Sequence, residues 1–319
     1  MSLQIVKPGI FTTIQDLGRT GYRSLGINPS GVMDRTAARL INTLLENSEN
    51  ETVLEMHFPA GEFKFETECS FAIGGADFSP WLNEAPIRNW SAINAVPGDT
   101  LKFREPKTGM RAYLSVAGGF DIPGWLGSTS TNLAAGAGGP TGRKLAAGDR
   151  IHFSAPRAVK PRTLGPSLIP KYARFPTVRV VAGGEFDVLT AICERTFLCD
   201  SFALTNDSNR MGFRLQGEPL YLLDEKEMVS AAVTFGTIQL LPDGQLIVLM
   251  ADHQTSGGYP RIANVISTDL PLLAQLGPGD RVSFQLVSIA NSEHLIKRFE
   301  RDLCFLKLGL RLTSQGNSI

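Results

Sequence analysis

Long apolar runs are missing from this 319-residue sequence. None approaches the roughly 20 residues of a membrane span, and the opening M-S-L-Q-I-V-K-P-G has neither the charged nor the apolar region of a signal peptide. A soluble, cytoplasmic protein is expected. Net charge is missing too: 31 Lys and Arg balance 31 Asp and Glu, so no field attracts nucleic acid or anionic lipid, and neither is an expected partner. Cys69, Cys193, Cys199 and Cys304 form no C-x-x-C pair and are too few to staple a chain of this length, which points to free buried thiols. His57, His152, His253 and His294 stand apart, none with a second ligand at helical or hairpin spacing, so no metal site is expected. There is no G-x-S-x-G elbow, and Ser79, between Phe78 and Pro80, lacks that setting. No A-M-K-M-type sequence occurs, so this chain carries no covalent biotin.

Turns are abundant. The 32 Gly and 19 Pro suit a β-rich protein of short strands, and the length suggests two domains. One phrase recurs at Pro97-Gly98-Asp99, Ala147-Gly148-Asp149 and Pro278-Gly279-Asp280, each followed by the alternation of a strand with one buried face. A second, Gly-Gly after an apolar position, occurs at Gly74, Gly118 and Gly183. Their recurrence in both halves hints at two related β-barrels. Residues 156–176, with five prolines between 154 and 176, read as an extended linker between domains 1–155 and 177–319. Met33, Ala37, Leu40, Ile41 and Leu44 make one apolar stripe, predicting a helix over 30–47 with Ser30 as a candidate N-cap and Asp34 at its positive end. The stretch from Ser292 to Leu306 is amphipathic and is expected to pack on the second barrel. The Gly127–Lys144 loop fails the Walker A and dinucleotide templates and reads as a flexible lid, although its amides beside Arg143 and Lys144 could receive an anion.

The chemistry gathers at Q-L-I-V-L-M-A-D-H-Q-T-S-G-G-Y-P-R-I-A-N-V-I, Gln245 to Ile266. The apolar run Leu246–Ala251 suits a buried strand and gives way abruptly to Asp252, His253, Gln254 and Thr255. Ser256-Gly257-Gly258 turns the chain, and Tyr259-Pro260 leads into a second strand from Arg261. Asp252 is either the cap of the Ser-Gly-Gly turn or an acceptor for a substrate N–H; Gln254, Thr255 and Tyr259 beside it favour the second. Arg210, in N-D-S-N-R-M-G, either grips an anion in two places or ties down its own turn. By themselves Gln15, Asp16 and Arg19 read as a polar turn.

Asp252-x-Gln254-Thr255-x-Gly257-Gly258-Tyr259-Pro260, with I-x-x-P-G-x-x-T-T-I-Q-D-L-G-R (Ile5 to Arg19), S-G-V-M-D (Ser30 to Asp34) and N-R-M-G-F-R-L (Asn209 to Leu215), resembles the biotin-dependent carboxyltransferase-like family. That family includes the C subunit of prokaryotic 5-oxoprolinase, the regulator KipA and half of the carboxyltransferase region of urea carboxylase. The resemblance implies a mainly β fold of two tandem cyclophilin-like barrels with a few short helices. It implies catalytic roles for Asp252, Gln254, Thr255 and Tyr259, and substrate contacts for Arg210, Asn209, Gly257, Gly258, Ser30, Asp34, Gln15 and Arg19. As part of a 5-oxoprolinase the chain would help open the lactam of 5-oxo-L-proline to L-glutamate with ATP and water, alongside the A subunit and a KipI-like B subunit, with ATP bound at the level of the complex. The alternatives are a KipA-like protein that binds a kinase-inhibitor partner, and part of a urea carboxylase-type carboxyltransferase that acts on carboxybiotin.

Overall fold

The repeated Gly-Asp phrase is one turn used three times. In the computed structural model, which describes residues 1–223 and 228–315, Gly98, Gly148 and Gly279 take φ of 101°, 89° and 84°, a region glycine enters without the usual Cβ penalty. The following Asp then accepts from the backbone N–H three residues back: Asp99 from Val96 at 2.9 Å, Asp149 from Ala146 at 2.8 Å, Asp280 from Gly277 at 2.9 Å. Each turn launches a strand, Thr100–Phe103, Arg150–His152 and Arg281–Leu286. Alternate residues of these strands (Leu101, Ile151, Val282 and Phe284) are buried, as a period of two requires.

The chain is mainly β and forms two compact units. The first takes Met1–Arg19, Asp34–Lys171 and the helical stretch from Glu300; the second takes Thr20–Met33 and Tyr172–Phe299. A division into consecutive blocks at 155 and 177 therefore differs from the units in two places, because residues 20–33 count with the second and the end of the chain with the first. The proline-rich segment differs as well: Val159 and Leu164 are buried, and Arg162–Thr163 pairs with Ser91–Ala95. Prolines cannot donate to a ladder, but Arg162 and Thr163 lie between them and can.

Strands of the first unit fall into two six-stranded sheets, where the sequence implied a second barrel. Their core is aromatic and aliphatic, with Phe63, Phe65 and Phe71 fully buried. Helix α1, Arg35–Leu44, buries Ala37, Leu40, Ile41 and Leu44, the stripe expected from the sequence. It lies close to the strand Cys69–Asp77, since a Cβ on Gly74 would come within 2.5 Å of Ile41 Cγ2. The cap is Asp34 rather than Ser30: its Oδ1 accepts from Ala37 N at 2.8 Å. We expect Asp34→Ala to cost about 1–2 kcal/mol, read as a shift in the denaturant midpoint; an unchanged midpoint would refute the cap.

The Gly127–Lys144 loop is pinned rather than free. Asp16 accepts from Ser128 Oγ, Ser130 Oγ and Thr129 N at 2.7, 2.5 and 2.8 Å. Gln15 donates to Thr131 O, and Arg19 donates to Ser130 O while lying 4.7 Å from the Trp125 ring centroid. Arg143 is tied to Asp149. The hydroxyls in this loop supply what the glycines cannot, side-chain hydrogen bonds to a buried carboxylate.

The second unit holds a closed barrel, with strands ordered Thr177–Ala182, Arg261–Val265, Thr237–Leu240, Leu246–Leu249, Gly212–Gln216, Ser201–Leu204 and Arg281–Leu286. One parallel pairing, Thr177–Ala182 with Arg281–Leu286, closes it. Phe197 of helix α2, Ala191–Cys199, stacks on Phe284 at 4.9 Å between centroids. Helix α3, Leu270–Ala274, starts without a side-chain cap; the carboxylate of Asp269 before it takes Arg179 N and Nε, both at 2.8 Å. Helix α4, Ile289–Gln315, runs longer than its sequence periodicity suggested, and its buried Leu303 belongs to the first unit rather than to the barrel. Two thiols are buried, Cys69 and Cys193, while Cys199 and Cys304 are exposed; burial pushes the Cys69 thiol up to about 12. Among the described residues, no helix is long and apolar enough to cross a membrane, and no three His, Cys, Asp or Glu side chains gather as metal ligands.

Candidate functional site

The buried strand Leu246–Leu249 ends where the sequence turns polar, and Asp252 is the first polar side chain beyond it. Its carboxylate is heavily engaged. Oδ2 accepts from Arg210 Nε at 2.8 Å, and Oδ1 accepts from Ser30 Oγ at 2.6 Å and Arg210 Nη2 at 3.2 Å. Side-chain exposures of 10% for Arg210 and 13% for Asp252 put the pair largely out of water. The backbone repeats the connection: Asp252 N donates to Arg210 O, Asn28 Nδ2 donates to Asp252 O, and Arg210 Nη2 donates to Gly31 O. Three segments remote in sequence, 28–31, 209–212 and 250–252, thus meet on one ion pair. Asp252 does not cap the Ser-Gly-Gly turn, which is held instead by strand Ser256–Gly257 pairing with Ala231–Ala232.

The turn chemistry accounts for the neighbours. Asn209 Oδ1 accepts from Met211 N at 2.8 Å, an Asx-type turn that aims Arg210 inward. His253 is buried, with Nδ1 against Gln254 O. Gly257 packs against Gln239: a Cβ there would sit 2.7 Å from Nε2, so that amide would have to shift. Tyr259, 45% exposed, and Gln254 stand on the surface of the loop. Arg261 beyond them forks onto Glu185 through Nε and Nη2 at 3.0 and 2.7 Å. These hydrogen bonds hold the Glu185 carboxyl below its usual range.

Beneath this loop lies a cleft of 500 Å³ on the outer face of the barrel. Its floor spans three neighbouring strands through Arg214, Ile247 and Gln239, which are register partners. Their neighbours Phe213, Val248 and Ile238 are buried in the core, so strand alternation turns these three outward. Asn209, Gln254 and Tyr259 form part of the rim. Gln239 is the residue that sequence reading missed. It is fully buried; Nε2 donates to Tyr259 O at 3.3 Å, and Oε1 is buried with no partner among the described residues. Arg214 is exposed and makes no ion pair among the described residues. The sequence signal for both was only their place, polar residues at alternating positions of otherwise apolar strands.

Of the sequence candidates, the structure brings Asp252, Arg210 and Ser30 into one network, and Asn209, Gln254 and Tyr259 onto one cleft. Thr255, Gly257 and Gly258 shape the loop, Thr255 O accepting from Val233 N. Gln15, Arg19 and Asp34 belong to the first unit, where the Gly-rich loop and helix α1 engage them.

Residues 25–286 match the model of a family described as the carboxyltransferase domain, subdomain A and B. The chain is 38% identical to the C subunit of 5-oxoprolinase from Haemophilus influenzae, over 90% of this chain and 92% of that one. It is 36% identical to the C subunit of 5-oxoprolinase from Escherichia coli, over 98% of this chain and 100% of that one. The crystal structure of Kluyveromyces lactis urea carboxylase superposes with a TM-score of 0.90 at 29% identity, covering 96% of this chain but 29% of the larger protein.

Proposed function

From the premise that this chain belongs to the family of the carboxyltransferase domain, subdomain A and B, we propose that it is the C subunit of a cytoplasmic, ATP-dependent 5-oxoprolinase that works with its A and B subunits. Two relatives of that name, aligned over at least 90% of this chain, support the reading. A single observation carries the site: Gln239 lines the cleft with a buried, unpartnered Oε1. Leaving such an acceptor empty costs about 1–3 kcal/mol, and a lactam N–H entering the cleft satisfies it. 5-Oxoproline also bears a carboxylate, which suits the bidentate fork of Arg214, exposed and without an ion pair among the described residues. Gln254 and Tyr259 at the rim supply N–H and O–H donors to the lactam oxygen, where developing charge most needs stabilising.

Asp252 enters as a positioning group. Through Arg210 and Ser30 it holds the loop that carries Gln254 and Tyr259 against the 28–31 and 209–212 segments. ATP activates the lactam in the net reaction, but the Gly127–Lys144 loop is poorly suited to it: its Ser128 and Ser130 hydroxyls are spent on Asp16 and its Arg143 on Asp149. This chain's own residues bind and orient the lactam.

The isolated chain is expected to produce no glutamate from 5-oxoproline, and the chain reconstituted with its companions to do so only with ATP. Turnover by the purified chain alone, or none by the full complex, would overturn the proposal. Likeness to urea carboxylase favours one second reading, carboxyl transfer from carboxybiotin; transfer of labelled carboxyl groups to a urea-like amide without glutamate formation would select it.

A further inference from the structure

The first unit contains a cleft of its own, of 610 Å³, between the end of helix α1, Arg157 and helix α4. Its two carboxylates are already spent. Glu49 accepts from both Arg39 and Lys307; burial pushes its carboxyl up, yet these hydrogen bonds prevail and leave it below the usual range. Glu46 pairs with Arg162 and, at the 4.0 Å limit, with Arg157. Arg157 in turn covers the negative end of helix α1, its Nη2 donating to Leu45 O and Glu46 O at 3.2 and 2.7 Å.

Positive charge is left over. Arg39, Arg157, Arg162, Lys307 and Arg311 face Glu46, Glu49 and Glu300 in this network. Arg311 lines the cleft, is exposed, and forms no ion pair among the described residues. On the wall stands a second unspent group: Thr43 is 3% exposed, and its Oγ1 is buried with no hydrogen-bond partner. A cation would meet carboxylates that are already neutralised. An anion would meet two guanidinium groups, Arg311 and Arg157, and the unspent Thr43 hydroxyl on the lining of one cleft, the donor types a phosphate takes. The cleft is far larger than a bare ion and falls in the size range of sites for small organic molecules, about 300–1,000 Å³.

We propose that this cleft binds a phosphate-bearing small molecule, with Arg311 and Arg157 as its charge partners and Thr43 donating a hydrogen bond. The site is independent of the lactam cleft and does not rest on the 5-oxoprolinase reading.

Calorimetric titration of the full chain with inorganic phosphate, pyrophosphate and ADP at fixed ionic strength tests it. Saturable binding is expected for at least one probe. Arg311→Gln should weaken it roughly tenfold, the scale of one charge-assisted hydrogen bond, and Thr43→Val several-fold. Arg311 is exposed, so its variant is expected to fold normally, with thermal melting as the check; Lys64→Gln, an exposed change outside both clefts, should bind as the parent does. No saturable binding by any probe, undiminished binding by Arg311→Gln, or loss of binding on Lys64→Gln would each overturn the proposal. Binding of ADP but not of inorganic phosphate would support it and identify a nucleotide as the source of the phosphate; binding of phosphate alone would identify the free anion.

Discussion

Replacing Asp252 by Asn is expected to destabilise the second unit by about 3 kcal/mol or more, because removing one partner of a buried ion pair leaves the other charge uncompensated. The stranded group is Arg210, whose side chain is 10% exposed. Asn retains an oxygen for Ser30 but not the charge, and its NH₂ would face the guanidinium. Ser30→Ala removes only one neutral donor and should cost about 1 kcal/mol. The double change Asp252→Leu with Arg210→Met should recover much of the loss, since a well-packed apolar pair has no charge to strand. Urea denaturation of the parent and the three variants reads all of this directly. In the reconstituted complex Asp252→Asn should also lower kcat/KM about 10- to 100-fold, as about 1.4 kcal/mol per decade implies for a loosened loop. A stable, fully active Asp252→Asn protein would remove the ion pair from both roles.

The second large effect separates binding from stability. Gln239→Leu removes the unpartnered Oε1 from a buried position together with the long hydrogen bond from Nε2 to Tyr259 O, and the two changes oppose each other, so stability should stay within about 1 kcal/mol of the parent. Activity in the reconstituted complex should nevertheless fall by roughly 10- to 100-fold, because the lactam N–H then loses its acceptor on the cleft floor. A purely structural Gln239 would lose both together or neither. Arg214→Gln is the companion test. The side chain is exposed and makes no ion pair among the described residues, so folding should not register the change, while loss of the carboxylate partner should raise KM for 5-oxoproline with kcat less affected. Steady-state kinetics beside thermal melting checks both variants, and unchanged kinetics for the pair would move the substrate elsewhere.

Local patterns carried the elements. The stripe Met33 to Leu44 placed helix α1, the Gly-Asp phrases placed three strand-opening turns, and the apolar run before Asp252 placed a buried strand. Each depends on a few consecutive residues, whose backbone preferences and burial period are visible in any sequence. The polar candidates were legible as a set but not as partners. Ser30 and Asp34 both suit a cap, and the choice fell to Asp34 because Ser30, at φ 56°, is turned toward Asp252.

Family membership and a mainly β chain were thus determined by the sequence alone, because turn chemistry and strand alternation are local. Tertiary structure decided which side chains neutralise one another. Asp252 meets Arg210 and Ser30 across 42 and 222 residues; Gln239 is left with an empty acceptor, and Arg311 without a carboxylate among the described residues. No spacing encodes those outcomes. They follow from barrel closure, from which strand face points outward and from where the end of helix α4 lies in the first unit, and a charge shows its function only when the fold has settled whether water, a partner or nothing lies beside it.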